Sequence, residues 1–352
     1  MSLRSCLLVP ARRAAFILSS LAALAWSSLG AGCGAGEGES GEASAGGGDT
    51  PACPEAESAE ITAQNEHGTL AGTLEVPAGC GPFPAVVILP GSGPTDRDGN
   101  NAPGGVASNA YKLLAQGLRD RGIASIRYDK AGIGGSASAA PRAEQDMRFT
   151  MGADDAGLWV KKLRDDGRFA TVTVVGHSEG SLLGMLVART TEVDGYVSIA
   201  GAGRPIGDVL REQLAGLPDE DRAKAYEILG QLERGERVAD VPQTPLFQSL
   251  FRPSVQPYLI SWMKLDPAVE LAAVAAPVLL VQGTTDTQVP VRDAELLAAA
   301  RPDAELVIIE GMSHTLKEAT LEPASQQAAY TDPSLPVMPR LIEALAAFIP
   351  AG

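Results

Sequence analysis

The sequence predicts an α/β fold: a mostly parallel sheet of eight strands with helices on both faces and a helical cap inserted between strands six and seven. Three observations carry this. The runs Ala85 to Leu89, Thr171 to Val175 and Pro277 to Val281 are apolar without alternation, the pattern of strands buried on both faces of a parallel sheet. Segments with helical spacing separate most of the later strands, as parallel crossovers require. Between the sixth and seventh strands the chain runs from about 203 to 275, too long for a simple crossover, so a cap must be folded there.

Taken in order, the first elements concern address. Arg4, Arg12 and Arg13 precede the apolar stretch Ala14 to Leu29, which is short for a spanning helix and ends in small residues, so residues 1–32 read as a secretory signal peptide. The pair Arg12-Arg13 is only a fragment of a twin-arginine signal. Cys33 follows Leu29-Gly30-Ala31-Gly32, close to a lipobox with leucine one place too far away, and is the candidate lipidation site. Residues 33–58, made largely of Gly, Ala, Ser and Glu, have little to bury and read as a flexible tether. A catalytic domain is expected over 59–352. With Cys6 leaving in the signal and Cys33 modified, Cys53 and Cys80 remain as a candidate disulfide in an oxidising compartment, or as two free thiols in the cytosol.

Eight strands are expected: Ile61 to Gln64, Thr69 to Val76, Ala85 to Leu89, Ile123 to Tyr128, Thr171 to Val175, Gly195 to Ile199, Pro277 to Val281 and Glu305 to Ile309. The turn Glu66-His67-Gly68 joins the first two, so the sheet should begin antiparallel and continue parallel. Within the cap, Pro218 to Arg234 reads as a charged amphipathic helix. Phe247, Phe251, Tyr258 and Trp262 are candidates for an apolar wall above the site, or simply for holding the cap onto the sheet.

Gly176-His177-Ser178-Glu179-Gly180 lies between the fifth strand and the helical run Ser181 to Arg189. A G-x-S-x-G at a strand-to-helix junction is a nucleophile elbow, which presents its serine strained and exposed above the sheet edge. A serine hydroxyl needs a base, and the base needs an acid to hold its tautomer. The chain has only three histidines. His67 lies far upstream, and the elbow should point the ring of His177 away from the Ser178 hydroxyl. His314, in the loop after the last strand, is left as the base. Asp286, in the loop after the seventh strand, is the candidate acid; Asp293 should lie within the next helix and Asp303 at the opposite sheet edge.

An oxyanion hole needs two backbone N-H groups. One is that of Glu179, after the nucleophile; the other is assigned to Ser92 or Gly93 in the Pro90-Gly91-Ser92-Gly93-Pro94 turn, with Ser92 preferred. Asp96-Arg97-Asp98-Gly99-Asn100 lacks the glycine and glutamate positions of a calcium-binding EF-hand, and Arg97 is expected to pair with its two neighbouring aspartates. No zinc-type spacing of His and Cys occurs, so neither metal nor cofactor is expected.

The order Ser178, Asp286, His314, together with L-P-G-S-G-P-x-D-R-D-G-N at Leu89 to Asn100, Y-D-K-x-G-I-G-x-S at Tyr128 to Ser136 and G-H-S-E-G, resembles the α/β-hydrolases, and within them bacterial carboxylesterases. The resemblance spans about residues 60 to 350. One departure is Ala131, where relatives usually carry arginine after the Asp-Lys pair. The resemblance implies hydrolysis of short- or medium-chain esters through an acyl-enzyme on Ser178. A serine aminopeptidase-like enzyme and a non-catalytic surface binding lipoprotein are the alternatives; the first would want an acidic pair for a substrate's amino group, of which only Glu179 is evident. A formal charge of −15 makes nucleic acid a poor partner. The expected partner is a small-molecule ester, and the expected location the cell envelope, with the membrane reached only through a lipid anchor.

Overall fold

A computed structural model describes residues 53–351. The expected signal peptide, the candidate lipidation site Cys33 and most of the expected tether lie outside these residues. Eight strands form one sheet: β1 (Glu57–Gln64), β2 (Thr69–Val76), β3 (Phe83–Leu89), β4 (Ala124–Tyr128), β5 (Phe169–His177), β6 (Gly195–Ile199), β7 (Val278–Gly283) and β8 (Glu305–Ile309). Their order across the sheet is β1-β2-β4-β3-β5-β6-β7-β8. β1 pairs antiparallel with β2 and β2 antiparallel with β4, and every later pairing is parallel. The fold class expected from the sequence is the one observed.

Residues alternate across the central strands, as the pleat dictates. Ala85, Val87 and Leu89 of β3 enter one core layer and Val86 and Ile88 the other. Helices α1 (Ala110–Arg119) and α11 (Pro339–Phe348) cover the second layer through Leu114, Leu118, Leu341 and Leu345. Helices α2 (Met151–Arg164) and α3 (Glu179–Thr190) cover the first, with Trp159 fully buried on β2 and β4. The cap holds five helices: α4 (Ile206–Gln213), α5 (Asp219–Glu233), α6 (Pro245–Phe251), α7 (Gln256–Trp262) and α8 (Pro267–Ala272). Their apolar side chains join the first core layer without a break. After β7 come α9 (Val291–Ala300), β8 and α10 (Pro323–Thr331).

The folded domain begins earlier than the expected boundary at 59. Cys53 is already bonded to Cys80, and β1 starts at Glu57. Its alternating, half-exposed pattern of charged and small residues hides the first half of an edge strand from a search for apolar runs. Among the described residues no helix is long and apolar enough to cross a membrane.

Candidate active site

Ser178 stands between β5 and α3 with φ 55° and ψ −117°, a conformation that L side chains rarely adopt and that costs about 1–3 kcal/mol. Its own N-H is tied to the Ile199 carbonyl at 2.9 Å, so the turn is anchored to the neighbouring strand end. The two flanking glycines are required by close approach: a Cβ on Gly176 would lie 2.2 Å from the Gly180 carbonyl oxygen, and one on Gly180 would lie 2.4 Å from that of Leu89. Any larger residue would push α3 off the end of β3.

Asp286 and His314 are brought together from the loops after β7 and β8. His314 Nδ1 lies 2.8 Å from Asp286 Oδ2, and both side chains are buried. A carboxylate can only accept, so Nδ1 carries the proton of this bond and the ring is oriented with Nε2 at its far side. Asp286 also accepts from the N-H groups of Gln288 (2.8 Å) and Val289 (2.9 Å) and from Gln282 Nε2 (3.1 Å). Burial alone would raise its pKa, but the charge and hydrogen bond of His314 and the two backbone donors outweigh it and hold the carboxyl below its ordinary value. The His314 loop is itself fixed by Ser313, whose N-H and Oγ both donate to the Lys317 carbonyl at 2.9 and 2.8 Å. The rival acids lie elsewhere: Asp293 sits in α9 and pairs with Arg204, and Asp303 pairs with Arg301.

His177 is turned to other work. Its Nε2 donates to the His314 carbonyl at 2.8 Å, which leaves Nδ1 to accept from the Tyr111 hydroxyl at 2.7 Å; that hydroxyl accepts in turn from the Gly91 N-H at 2.8 Å. Burial first, and repulsion from His314 second, bring its pKa down to about 3, so the ring stays neutral. The chain of bonds links the Gly91 turn to the His314 loop. Sequence reasoning excluded His177 as the base but missed this bridge and Tyr111 with it.

The expected pairing within Asp96 to Asn100 is corrected. Arg97 reaches Asp129 (2.8 Å) and Glu60 (2.5 Å), and Asp98 pairs with Arg127 (2.9 Å). Asp96 instead closes its own turn by accepting the N-H groups of Asp98 and Asn100. Neighbouring opposite charges are a poor guide here because the loop folds back on β2 and β4. Lys130, in the same motif as Asp129, was also missed: its Nζ lies 2.6 Å from Glu179 Oε1 and 3.2 Å from the Gly91 carbonyl oxygen.

A family model described as serine aminopeptidase, S33, matches residues 104–319, which include all three residues Ser178, Asp286 and His314. The chain belongs to this α/β-hydrolase family. Esterase EstD of Thermotoga maritima is 30% identical to it over 252 residues, covering 70% of this chain and 58% of that esterase. The α/β-hydrolase fold is shared with Est1E from Butyrivibrio proteoclasticus (TM-score 0.54, 15% identity, 82% of this chain and 96% of the other). It is shared also with the α/β-hydrolase GrgF from Penicillium sp. sh18 (TM-score 0.51, 21% identity, 73% and 91%).

In this α/β-hydrolase two small recesses meet at Ser178. One, of about 50 Å³, is lined by Ser92, His314, Thr95, Asn101, Thr315 and Tyr330. The other, of about 40 Å³, is walled by Leu182, Ile206, Val209, Trp262 and Val289 together with Arg204, Gln213 and Gln288. The cap aromatics therefore divide. Trp262 faces the recess that holds Ser178, and Tyr258 lines the adjoining cavity beside Glu179. Phe247 and Phe251 pack on each other inside the cap and serve its core.

Proposed function

We propose that the protein is a serine carboxylesterase acting on short- or medium-chain esters through an acyl-enzyme on Ser178. The observation that carries this reading is the buried hydrogen bond between His314 and Asp286 beside a strained Ser178 in one cavity. His314 Nε2 takes the proton from the Ser178 hydroxyl as its oxygen attacks the ester carbonyl, and Asp286 steadies the imidazolium. The N-H groups of Ser92 and Glu179 receive the oxyanion. His314 then returns the proton to the departing alcohol, and water activated by the same ring releases the acid.

This proton route assigns the recesses. The alcohol must leave beside His314, so it occupies the recess that His314 lines, and the acyl chain enters the one under Trp262. The size of that second recess supports short acyl groups. Amine recognition, which an aminopeptidase would need, is poorly served by Glu179, because its carboxylate is already paired with Lys130.

Ser178→Ala should lower ester turnover by roughly 10⁴-fold or more while leaving the fold intact. Fluorophosphonate labelling should modify Ser178 and no other residue. Near-normal turnover in the variant, or faster hydrolysis of aminoacyl amides than of acyl esters by the parent, would overturn the assignment.

A further inference from the structure

We infer that the Lys130–Glu179 ion pair is the device that sets the oxyanion hole, Lys130 acting as a positioning residue that aims the Ser92 N-H by holding the opposite end of the same peptide group. The inference rests on the reading of Ser92 and Glu179 as the two oxyanion donors.

The Gly91 carbonyl and the Ser92 N-H belong to one peptide unit, and that unit is trans. A trans peptide is planar, so the two groups point in opposite directions and cannot turn independently. Lys130 Nζ donates to the Gly91 oxygen at 3.2 Å. Any rotation of this peptide plane that re-aimed the Ser92 N-H would break that ammonium-to-carbonyl bond, and a charge-assisted bond at a partly buried site is stronger than a neutral one. Ser92 N-H meets no acceptor among the described residues, which leaves it available to a substrate oxygen. On its other side Gly91 is held through its N-H by Tyr111. Both polar groups of this glycine are therefore gripped by side chains.

Lys130 is in turn placed by Glu179, whose side chain is only 2% exposed against 21% for Lys130. Glu179 contributes twice. Its N-H is the first of α3, which no carbonyl of its own helix can satisfy; its carboxylate holds the cation that holds the other donor. The separation between the two donors is thus governed by one ion pair. A cation on the Gly91 carbonyl also polarises the amide, so the Ser92 N-H becomes a better donor as negative charge grows on the substrate oxygen. Burying a charged pair is expensive, and an apolar pair would often serve stability as well. A role in aiming a donor gives the charges a reason to be there.

The test uses the full chain with Lys130→Met, Lys130→Arg, Glu179→Gln and the double variant Lys130→Met/Glu179→Gln, with competent sites counted by fluorophosphonate titration. Lys130→Met should lower kcat per titrated site on a short-chain chromogenic ester by about 10- to 100-fold, with KM changed by less than about twofold. Affinity for a trifluoromethyl ketone, which forms a tetrahedral oxyanion on the serine, should fall by the same factor. Lys130→Arg should recover most of the loss, and the double variant should be no worse than Lys130→Met, because the two side chains act as one unit. A purely structural pair would lower Tm and the number of competent sites but leave kcat per site and ketone affinity at parent values, and that result overturns the inference. If Lys130→Met fails to fold, Glu179→Gln reads the same quantities, with a drop of about threefold or more expected; an unchanged ketone affinity there counts equally against it. A parent protein that neither labels nor cleaves esters ends both this inference and the esterase reading, whereas an active parent with an indifferent Lys130→Met ends this one alone.

Discussion

Two buried aspartates in this molecule respond to burial in opposite ways. Asp286 is surrounded by donors and kept below its ordinary pKa, whereas Asp155, on α2, has Asn65 as its hydrogen-bonding partner at 2.9 Å and is pushed up by burial to about 6. A carboxyl whose folded pKa exceeds its unfolded value favours the folded state when protonated. That contribution is complete below about pH 4 and lost as the pH climbs through about 6. Asp155→Asn keeps an oxygen to accept from Asn65 and has no proton to lose. It should melt above the parent at both pH 5 and pH 8, by roughly half as much at pH 5, with a difference at the higher pH of up to about 3 kcal/mol. Equal melting shifts at the two pH values would contradict this. The residues that sequence reasoning paired, Asp286 and His314, were legible because each follows an apolar strand and the choice of histidines was narrow. Lys130, Tyr111 and His177 were not, for a physical reason: each acts on a backbone group, the Gly91 carbonyl, the Gly91 N-H and the His314 carbonyl, and a backbone partner leaves no mark in residue type.

Strands buried on both faces were read to within a few residues, since an uninterrupted apolar run survives any register. Shorter or more exposed pieces escaped, among them the two-residue ladder of Asn100–Asn101 with Val106–Ala107 and the charged first half of β1. The cap helices show why aromatic content alone could not assign pocket walls. Phe247 and Trp262 come from neighbouring helices, yet one is spent on the interior of the cap and the other lines a recess at Ser178. Trp262 also stacks on Phe149, with ring centroids 4.8 Å apart, so its position is fixed from outside the cap. Trp262→Ala should enlarge the recess and raise the ratio of kcat/KM for an eight-carbon over a two-carbon acyl ester by about 10-fold or more, in line with about 1–3 kcal/mol per added methylene in an apolar pocket. An unchanged chain-length profile would place the acyl group elsewhere.

At the scale of the molecule, the disulfide ties the start of the described chain to the segment leading into β3, across a separation of 27 residues. The loop it closes contains the whole β1–β2 hairpin, the edge of the sheet. In the chain-entropy account such a closure is worth about 3.5 kcal/mol. Cys53→Ser/Cys80→Ser should therefore unfold at distinctly lower urea concentration than the oxidised parent, and reducing agent should affect only the parent; coincident unfolding curves would show that the bond contributes nothing.

Leu182 and Leu183 of α3 share one apolar layer with Ile206, Val209 and Trp262 of the insertion that roofs it. Among the described residues no seam exists along which the roof could be lifted off and exchanged. Grafting the corresponding insertion from a relative would strip methyl groups from the helix that carries Ser178, so chimeras made at this boundary should lose reactivity toward every ester together. New selectivity is better sought by changing single side chains around the recess under Trp262.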